Sequence, residues 1–333
     1  MMKKISAVAV LCCAVAAFLL FAPMSNGHDT RYILVDADDN IDSVFAKVDT
    51  VSHGYSFMTF KCLAYAMRYD SHVRTGRYAM ESGTGPLQML RHMRNGQQAP
   101  IMLTIPSVRT VDRLAEEMGK RLMMSEDELL SALKDEATCE KYGLDTLTIQ
   151  CLFIPNTYDI YWNISVEKFL DRMKKEADRF WTTERKAKAK DAGLTPVEVV
   201  TLASIVDEET ANNGEKPMVA GMYVNRLKAG MPLQADPTIK YAWKKFDLKR
   251  IYNKLLFIDS PYNTYKNTGL PPGPIRIPSV AGIDAVLDHV HHDYMYMCAK
   301  EDFSGTHNFA VTYAEHLKNA AKYTAALNAR GIK

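Results

Sequence analysis

The chain has 333 residues, with 41 Lys and Arg against 39 Asp and Glu, a formal net charge of +2, and 47% hydrophobic residues. This length holds a sizeable core and two or three domains. The near-neutral balance gives no basic excess for a dedicated nucleic-acid binder, and apolar residues recur too steadily for extensive disorder. One segment alone is long and apolar enough to span a bilayer, which excludes a polytopic membrane protein.

That segment is the N-terminus. Lys3 and Lys4 precede the uncharged run Ile5–Ala22, which Pro23 closes. As a helix the run reaches about 27 Å, close to the bilayer core thickness. A cleaved signal peptide has the same basic start, but its apolar core is usually only about 7–15 residues. Pro23 also follows the only candidate cleavage site directly. Residues 1–27 are therefore expected to be a cytoplasmic stub and an uncleaved single-pass anchor in the cytoplasmic (inner) membrane, with cleavage as the alternative. Neither Cys12 nor Cys13 has the flanking pattern that lipidation needs. Both readings put the body outside the cytoplasm, from about Gly27 onward. Cys62, Cys139, Cys151 and Cys298 lie in that body. No C-x-x-C pattern occurs there, so they are expected to be mostly buried free thiols.

Residues 28–106 read as a small α+β unit. Tyr32–Val35 is strand-like, Asp36–Asn40 an acidic turn, and Ile41–Val48 has helical spacing. A strand starts at Gly76–Tyr78, a short helix covers Leu87–Met93, and Pro106 stops the strand Ile101–Ile105. The glycines at Gly83 and Gly85 read as a turn rather than a phosphate cradle. From 107 to 195 the text is mostly helical, at Thr110–Met123, Ser125–Lys134 and Val166–Lys190. The last carries eight Lys and Arg against three acids from Arg172 to Lys190, the composition of a solvated helix face.

The chemistry-bearing stretch opens at Thr195. Thr195 as N-cap, Pro196 at the first helical position and Glu198 three residues after the cap form a capping box. Val199, Leu202, Ala203 and Val206 then make one apolar stripe. The helix runs into Asp207-Glu208-Glu209. At 100° per residue, Glu208 points away from the stripe and is expected in solvent, while Asp207 and Glu209 lie at its edges. Partial burial there raises a carboxyl pKa, as a general acid at neutral pH requires; an acidic last turn with no chemistry is the alternative that the local pattern allows. Downstream loops are polar, aromatic and punctuated by Pro and Gly, which suits a sugar polymer with its hydroxyls and flat apolar ring faces.

Six segments together carry a resemblance: Leu202–Thr210, Met222–Leu227, Leu233–Thr238, Ser260–Tyr265, Gly269–Ile275 and Thr306–Phe309. In order and spacing they resemble the endolytic murein transglycosylases, the YceG-like family, and the likeness extends over nearly the whole chain. It implies an α+β protein with an N-terminal transmembrane helix, a LysM-like subdomain (28–106) and a mixed α+β catalytic domain (107–333). The implied activity is a lyase reaction on peptidoglycan glycan strands, with no cofactor and no metal. The second Glu of the family's helix motif is catalytic and maps to Glu209. Asp207 stands where the family has a Glu, and no chemistry is assigned to it. Gln234, Asp236, Asn263, Tyr265 and His307 are the residues expected to bind sugar or position Glu209. Peptidoglycan synthases are the implied partners, and no nucleic acid is.

The residues themselves favour one acid. Glycosidases flank the scissile bond with two carboxylates about 5–9.5 Å apart. Asp207 and Glu209 differ by about 200° around a helix and cannot do this together. A lytic transglycosylase needs only one such group, because the C6 hydroxyl of its own substrate is the nucleophile. A water-using muramidase and a non-catalytic peptidoglycan-binding scaffold are the alternatives. The cluster His289, His291, His292 and Asp293 lacks a second set at zinc spacing and does not read as a metal site.

Overall fold

The structure, a computed structural model, describes residues 2–25, 27–248 and 250–331, with residues 2–6 described by backbone alone. In chain order its elements are α1 (Met2–Phe21), β1 (Arg31–Val35), α2 (Ile41–Asp49), α3 (Gly54–Ala66), β2 (Gly76–Met80), α4 (Pro86–Asn95) and β3 (Ile101–Thr104). There follow α5 (Val111–Gly119), α6 (Glu126–Lys134), α7 (Glu136–Lys141), β4 (Thr157–Ile160), α8 (Val166–Phe180), α9 (Thr183–Asp191) and α10 (Pro196–Glu209). The last are α11 (Lys216–Lys228), α12 (Asp236–Ala242), α13 (Val280–Leu287), β5 (Tyr296–Ala299), β6 (His307–Ala310) and α14 (Tyr313–Ala329). Helices dominate, and among the described residues the strands pair two by two, β1 with β2, β3 with β4 and β5 with β6. The α+β class expected from the sequence holds.

Two compact units divide the chain. The first runs to Leu103 and takes in Gly119–Ser125 and Tyr158–Ser165. In it β1 and β2 are antiparallel, with Arg31 opposite Met80 and Val35 opposite Gly76. Ile33, Val35, Tyr78 and Met80 alternate inward onto Val44, Phe45, Phe60 and Met89, the two-residue period of a half-buried ribbon. Asn40 caps α2 by accepting from the backbone N–H groups of Asp42 and Ser43. Helix α3 has no amphipathic signature in the sequence, because its buried face (Phe60, Ala64) and its exposed face (Tyr55, Met58, Tyr65) are both largely apolar. The C-terminal end of α1 leads into this unit. Gly85 lies against it so closely that a Cβ there would stand 2.8 Å from the Phe21 backbone. Met24 is fully buried in the unit's core.

Among the described residues no helix is long and apolar enough to cross a membrane. The side chains of Lys3, Lys4, Ile5 and Ser6, which open the expected anchor, lie outside the described residues.

The second unit comprises Thr104–Met118, Glu126–Thr157 and the chain from Val166 onward. The expected helix over Val166–Lys190 is two helices. Trp181 interrupts it, and Thr182 opens α9 as an N-cap, its Oγ1 accepting from Arg185 N–H. In the basic run Arg172, Lys174 and Arg179 pair with acids one turn away, as on a solvated face, whereas Arg185 and Lys188 also reach Asp284 and Asp288 at α13. The capping box at Thr195 forms as read: Glu198 N–H donates to Thr195 Oγ1 and Thr195 N–H to Glu198 Oε2.

Helix α10 departs from expectation, being buried from Val199 to Val206 on every side rather than along one stripe. It packs against α11 through Val219, Met222 and Tyr223 and against α13 through Ile283 and Val286. A helix apolar all round belongs in the middle of a core. Even its polar residues serve the packing. Thr201 Oγ1 donates to Val197 O, and Ser204 Oγ accepts from Ile275 N–H, which hooks the end of the Pro-rich loop onto the helix.

The free cysteines are more varied than expected: Cys139 and Cys151 are buried, Cys298 half-buried and Cys62 exposed. His316 of α14 clusters its ring with those of Tyr296 and Tyr313, at centroid distances of 5.5 and 6.0 Å.

Candidate active site

The acidic end of α10 distributes three neighbouring carboxylates to three different tasks. Asp207 is a structural clamp. Its Oδ1 pairs with Lys216 Nζ at 2.7 Å, and both side chains are almost wholly buried. Its Oδ2 accepts from Ser279 N–H at 2.6 Å, and Oδ1 from Ser279 Oγ at 3.1 Å, so it also holds the start of α13. Room for this carboxylate comes from Gly282, where a Cβ would lie 2.4 Å from Oδ1. Glu208, expected in solvent, has a side chain only 11% exposed. It accepts two bonds from Arg109 (2.8 and 2.9 Å) and one from Arg276 (3.0 Å). Two guanidiniums explain the burial, since a charge leaves water only when paired.

Glu209 is the third and is set apart chemically. Among the described residues no cation forms an ion pair with it; its Oε1 accepts from the hydroxyl of Tyr223 at 2.7 Å. Burial pushes its pKa up to about 7, the nearby Asp236 carboxylate adds to the rise, and the Tyr223 hydrogen bond opposes it. Tyr223 is itself buried within the core, and burial next to Glu209 drives its phenol well above its ordinary value, so it remains a donor. Near neutral pH, Glu209 is thus divided between its acid and its base form, which suits a group that must give a proton and take one back.

Two of the sequence segments are stitched together beside it. Gln234 N–H donates to Thr264 O, Ala235 N–H donates to Thr264 Oγ1, and the hydroxyls of Thr238 and Thr264 lie 2.8 Å apart. This brings Asp236, the first residue of α12, onto Tyr265, whose hydroxyl donates to Asp236 Oδ1 at 2.5 Å. Asn263 lies beneath, fully buried. Its amide donates to Leu256 O and Ile258 O, and its Oδ1 accepts from Tyr265 N–H. It braces the loop and is closed off from substrate. Gln234 is exposed and has φ +51°, a left-handed conformation that is strained for a residue with a Cβ.

His307 stands apart from this group. Among the described residues its partner is Glu215, whose carboxylate accepts from His307 N–H at 2.6 Å and lies 3.1 Å from Nδ1. Of the expected residues, Asp236 and Tyr265 accompany Glu209, Asn263 supports them, Gln234 lies on the adjoining strained turn, and His307 forms a separate pair. Tyr223 and Arg226 are additions. Both lie in the Met222–Leu227 segment, but only the packing of α11 on α10 shows that Tyr223 reaches the acid. Arg226 is buried and donates to the carbonyls of Met295, Pro232 and Leu233, which ties α11 to the adjacent segments.

Within the histidine cluster, His292 ties its segment to α11. His292 Nε2 donates to Met218 O and its Nδ1 accepts from Tyr294 N–H, so both ring nitrogens are occupied. Among the described residues no group of three or more His, Cys, Asp or Glu could hold a metal ion.

A half-buried acid whose pKa burial raises to about 7, with a phenol on one oxygen and polar loops beside it, is a candidate site for proton transfer. The YceG-like family model matches residues 33–322, and the chain belongs to that family. It is 29% identical to an endolytic murein transglycosylase of Bacillus subtilis over 86% of this chain and 82% of that protein. It is also 27% identical to one of Streptococcus pneumoniae, over 90% of this chain and 59% of that longer protein. A solved yceG-like protein from Listeria monocytogenes superimposes with a TM-score of 0.56 at 25% identity, covering 88% of this chain and 99% of that one.

Proposed function

We propose that this chain is an endolytic murein transglycosylase that cuts the bond from MurNAc to GlcNAc within peptidoglycan strands and leaves 1,6-anhydroMurNAc ends. The observation that carries this reading is Glu209, held by Tyr223 and raised to about 7 in a chain of this family. Protonated Glu209 donates to the glycosidic oxygen as the C1–O bond breaks and an oxocarbenium-like state develops. The resulting carboxylate takes the proton of the MurNAc C6 hydroxyl, whose oxygen closes on C1. Intramolecular attack carries a large proximity advantage and needs no water. Glu209 returns to its acid form, so one residue serves both steps.

Tyr223 occupies Oε1, which leaves Oε2 to carry the mobile proton. Asp236, exposed at the start of α12 and hydrogen-bonded to Tyr265, faces the same site as a fixed negative charge suited to the positive ring. The same carboxylate supports a second reading. Asp236 is a second acid near Glu209, as a water-using muramidase requires. Mass spectrometry of glycan ends after digestion of uncrosslinked peptidoglycan separates the two. Anhydro ends are the expected result, and reducing MurNAc ends would replace the transglycosylase with the hydrolase.

The two neighbours of Glu209 act on it in opposite directions, which yields a paired prediction. Tyr223→Phe removes a donor that favours the carboxylate, so the basic limb of the pH–activity profile is expected to move up by roughly one unit. Asp236→Asn removes a like charge, so the limb is expected to move down. Shifts in the same direction in the two variants would contradict this assignment.

Membrane anchoring by the run Ile5–Ala22, with the Lys pair on the cytoplasmic side, belongs to the same proposal. It is supported by the charge-free sequence and by the exposure of Val8, Val10, Leu11, Val15 and Phe18 on α1. The anchor would hold the body on the outer face of the cytoplasmic membrane, where nascent strands emerge and peptidoglycan synthases work. Ending strand growth there is the cellular role that fits.

A further inference from the structure

The first unit exposes an apolar surface that the proposed reaction does not use. Tyr55, Met58, Cys62 and Tyr65 of α3 fall within about 80° of one another around the helix. Tyr55, Met58 and Tyr65 are between 44% and 57% exposed, and Cys62 is exposed with a free thiol. Along α3 the only charged side chain is Lys61, whose ammonium lies 5.3 Å above the Phe45 ring. A solvent-facing stripe on a small unit would ordinarily be polar; a bare one of this kind marks an interaction surface.

What covers it is indicated by its neighbour. The stripe begins at Tyr55, whose ring stacks on Phe18 of α1 with centroids 5.8 Å apart. Phe18 is one turn from the C-terminal end of α1, within the charge-free run Ile5–Ala22, whose side chains at Val8, Val10, Leu11 and Val15 are also exposed. The apolar surface of α1 therefore meets that of α3 at the Phe18–Tyr55 stack, where the His53 ring lies on the other side of the contact as a polar group, its centroid 5.9 Å from that of Tyr55. The junction is also fixed. Met24 N–H donates to Thr84 O at 2.9 Å and Met24 O accepts from His53 N–H at 2.8 Å, directly ahead of α3. Two tyrosines, each an apolar ring with a polar tip, have the composition of a segment at the lipid–water boundary.

We propose that the Tyr55–Tyr65 face of α3 rests on the lipid bilayer beside α1, so that the first unit is a surface-bound body rather than one suspended above the membrane. The proposal rests on the anchor reading, and one experiment tests the two separately. The full chain, with Cys12, Cys13 and Cys298 replaced by Ser, carries bimane on Cys62. It is incorporated into vesicles of phosphatidylethanolamine and phosphatidylglycerol. Co-flotation with the vesicles reports the anchor. Quenching reports the face, by iodide from water and by a nitroxide at the top of the lipid chains.

The expected result is flotation, with iodide quenching at Cys62 at least threefold weaker than for the same label at Asp38→Cys, and clear quenching by the lipid nitroxide. Met58→Asp, an exposed substitution, should leave flotation intact and restore iodide quenching at Cys62. Flotation with full iodide quenching would overturn the bilayer contact and leave the anchor standing. Iodide protection without lipid quenching would assign the face to a protein partner and also overturn it. Loss of flotation would overturn the anchor and this proposal together.

Discussion

Glu209→Gln is expected to abolish strand cleavage and, above neutral pH, to make the protein more stable. The first effect follows from removing the only proton that can be exchanged at that site while keeping shape and the acceptor for Tyr223. Loss of a general acid costs about 10²–10⁴-fold by itself. Here the same group also serves as the base, so activity should fall to background. The second effect follows from the shifted pKa. A carboxyl raised from its ordinary 4.5 to about 7 favours the folded state fully below 4.5, and that stability is lost as pH rises through about 7. The Gln variant does not titrate and escapes this loss. Its gain over wild type should grow between pH 4.5 and pH 7 and level off at about 3 kcal/mol. Urea unfolding of both proteins at pH 5 and pH 8 would measure it. A gain that did not change with pH would mean that the acid is not held in its raised state. Unchanged cleavage would remove Glu209 from the mechanism.

Lys216→Met is expected to destabilise the second unit by about 3–5 kcal/mol, the cost of leaving one partner of a buried pair without the other. The Nζ of Lys216 is the cation on Asp207, and both side chains are less than a tenth exposed. Methionine fills most of the volume and leaves the Asp207 carboxylate, among the described residues, with Ser279 alone for support. The unfolding midpoint in urea should drop accordingly, and Asp207→Asn added to Lys216→Met should recover part of the loss, because the two sites are in direct contact. A single-variant loss below about 1 kcal/mol would mean that the pair is solvated and contributes as little as a surface bridge.

The positions of the acid and of its supporting loops were readable in the sequence to different depths. The capping box fixed the start of α10, and Glu209 followed from motif order. The same periodicity argument failed at Glu208, because it assumed that a helix has a solvent side. Arg109 and Arg276 come from positions far from Glu208 in the sequence, and no local spacing announces them. Tyr223 was missed for a similar reason. Its place on Glu209 depends on how α11 crosses α10, which is a matter of packing. The backbone bonds of Asn263 were not legible, since an amide in a polar loop looks the same in sequence whether it faces a sugar or its own backbone. Helix α3 escaped notice because both of its faces are apolar.

The seating of Met24 has a mechanical consequence. With its backbone bonded on both sides and its side chain enclosed, Met24 seats the end of α1 in the body of the first unit. A turn or tilt of the helix is therefore transmitted as a turn or tilt of the unit, in the manner of a key and its blade. Lengthening α1 by one residue would rotate the seat by about 100° rather than merely raising it, so the register between helix and body should tolerate no insertion at Phe21–Met24.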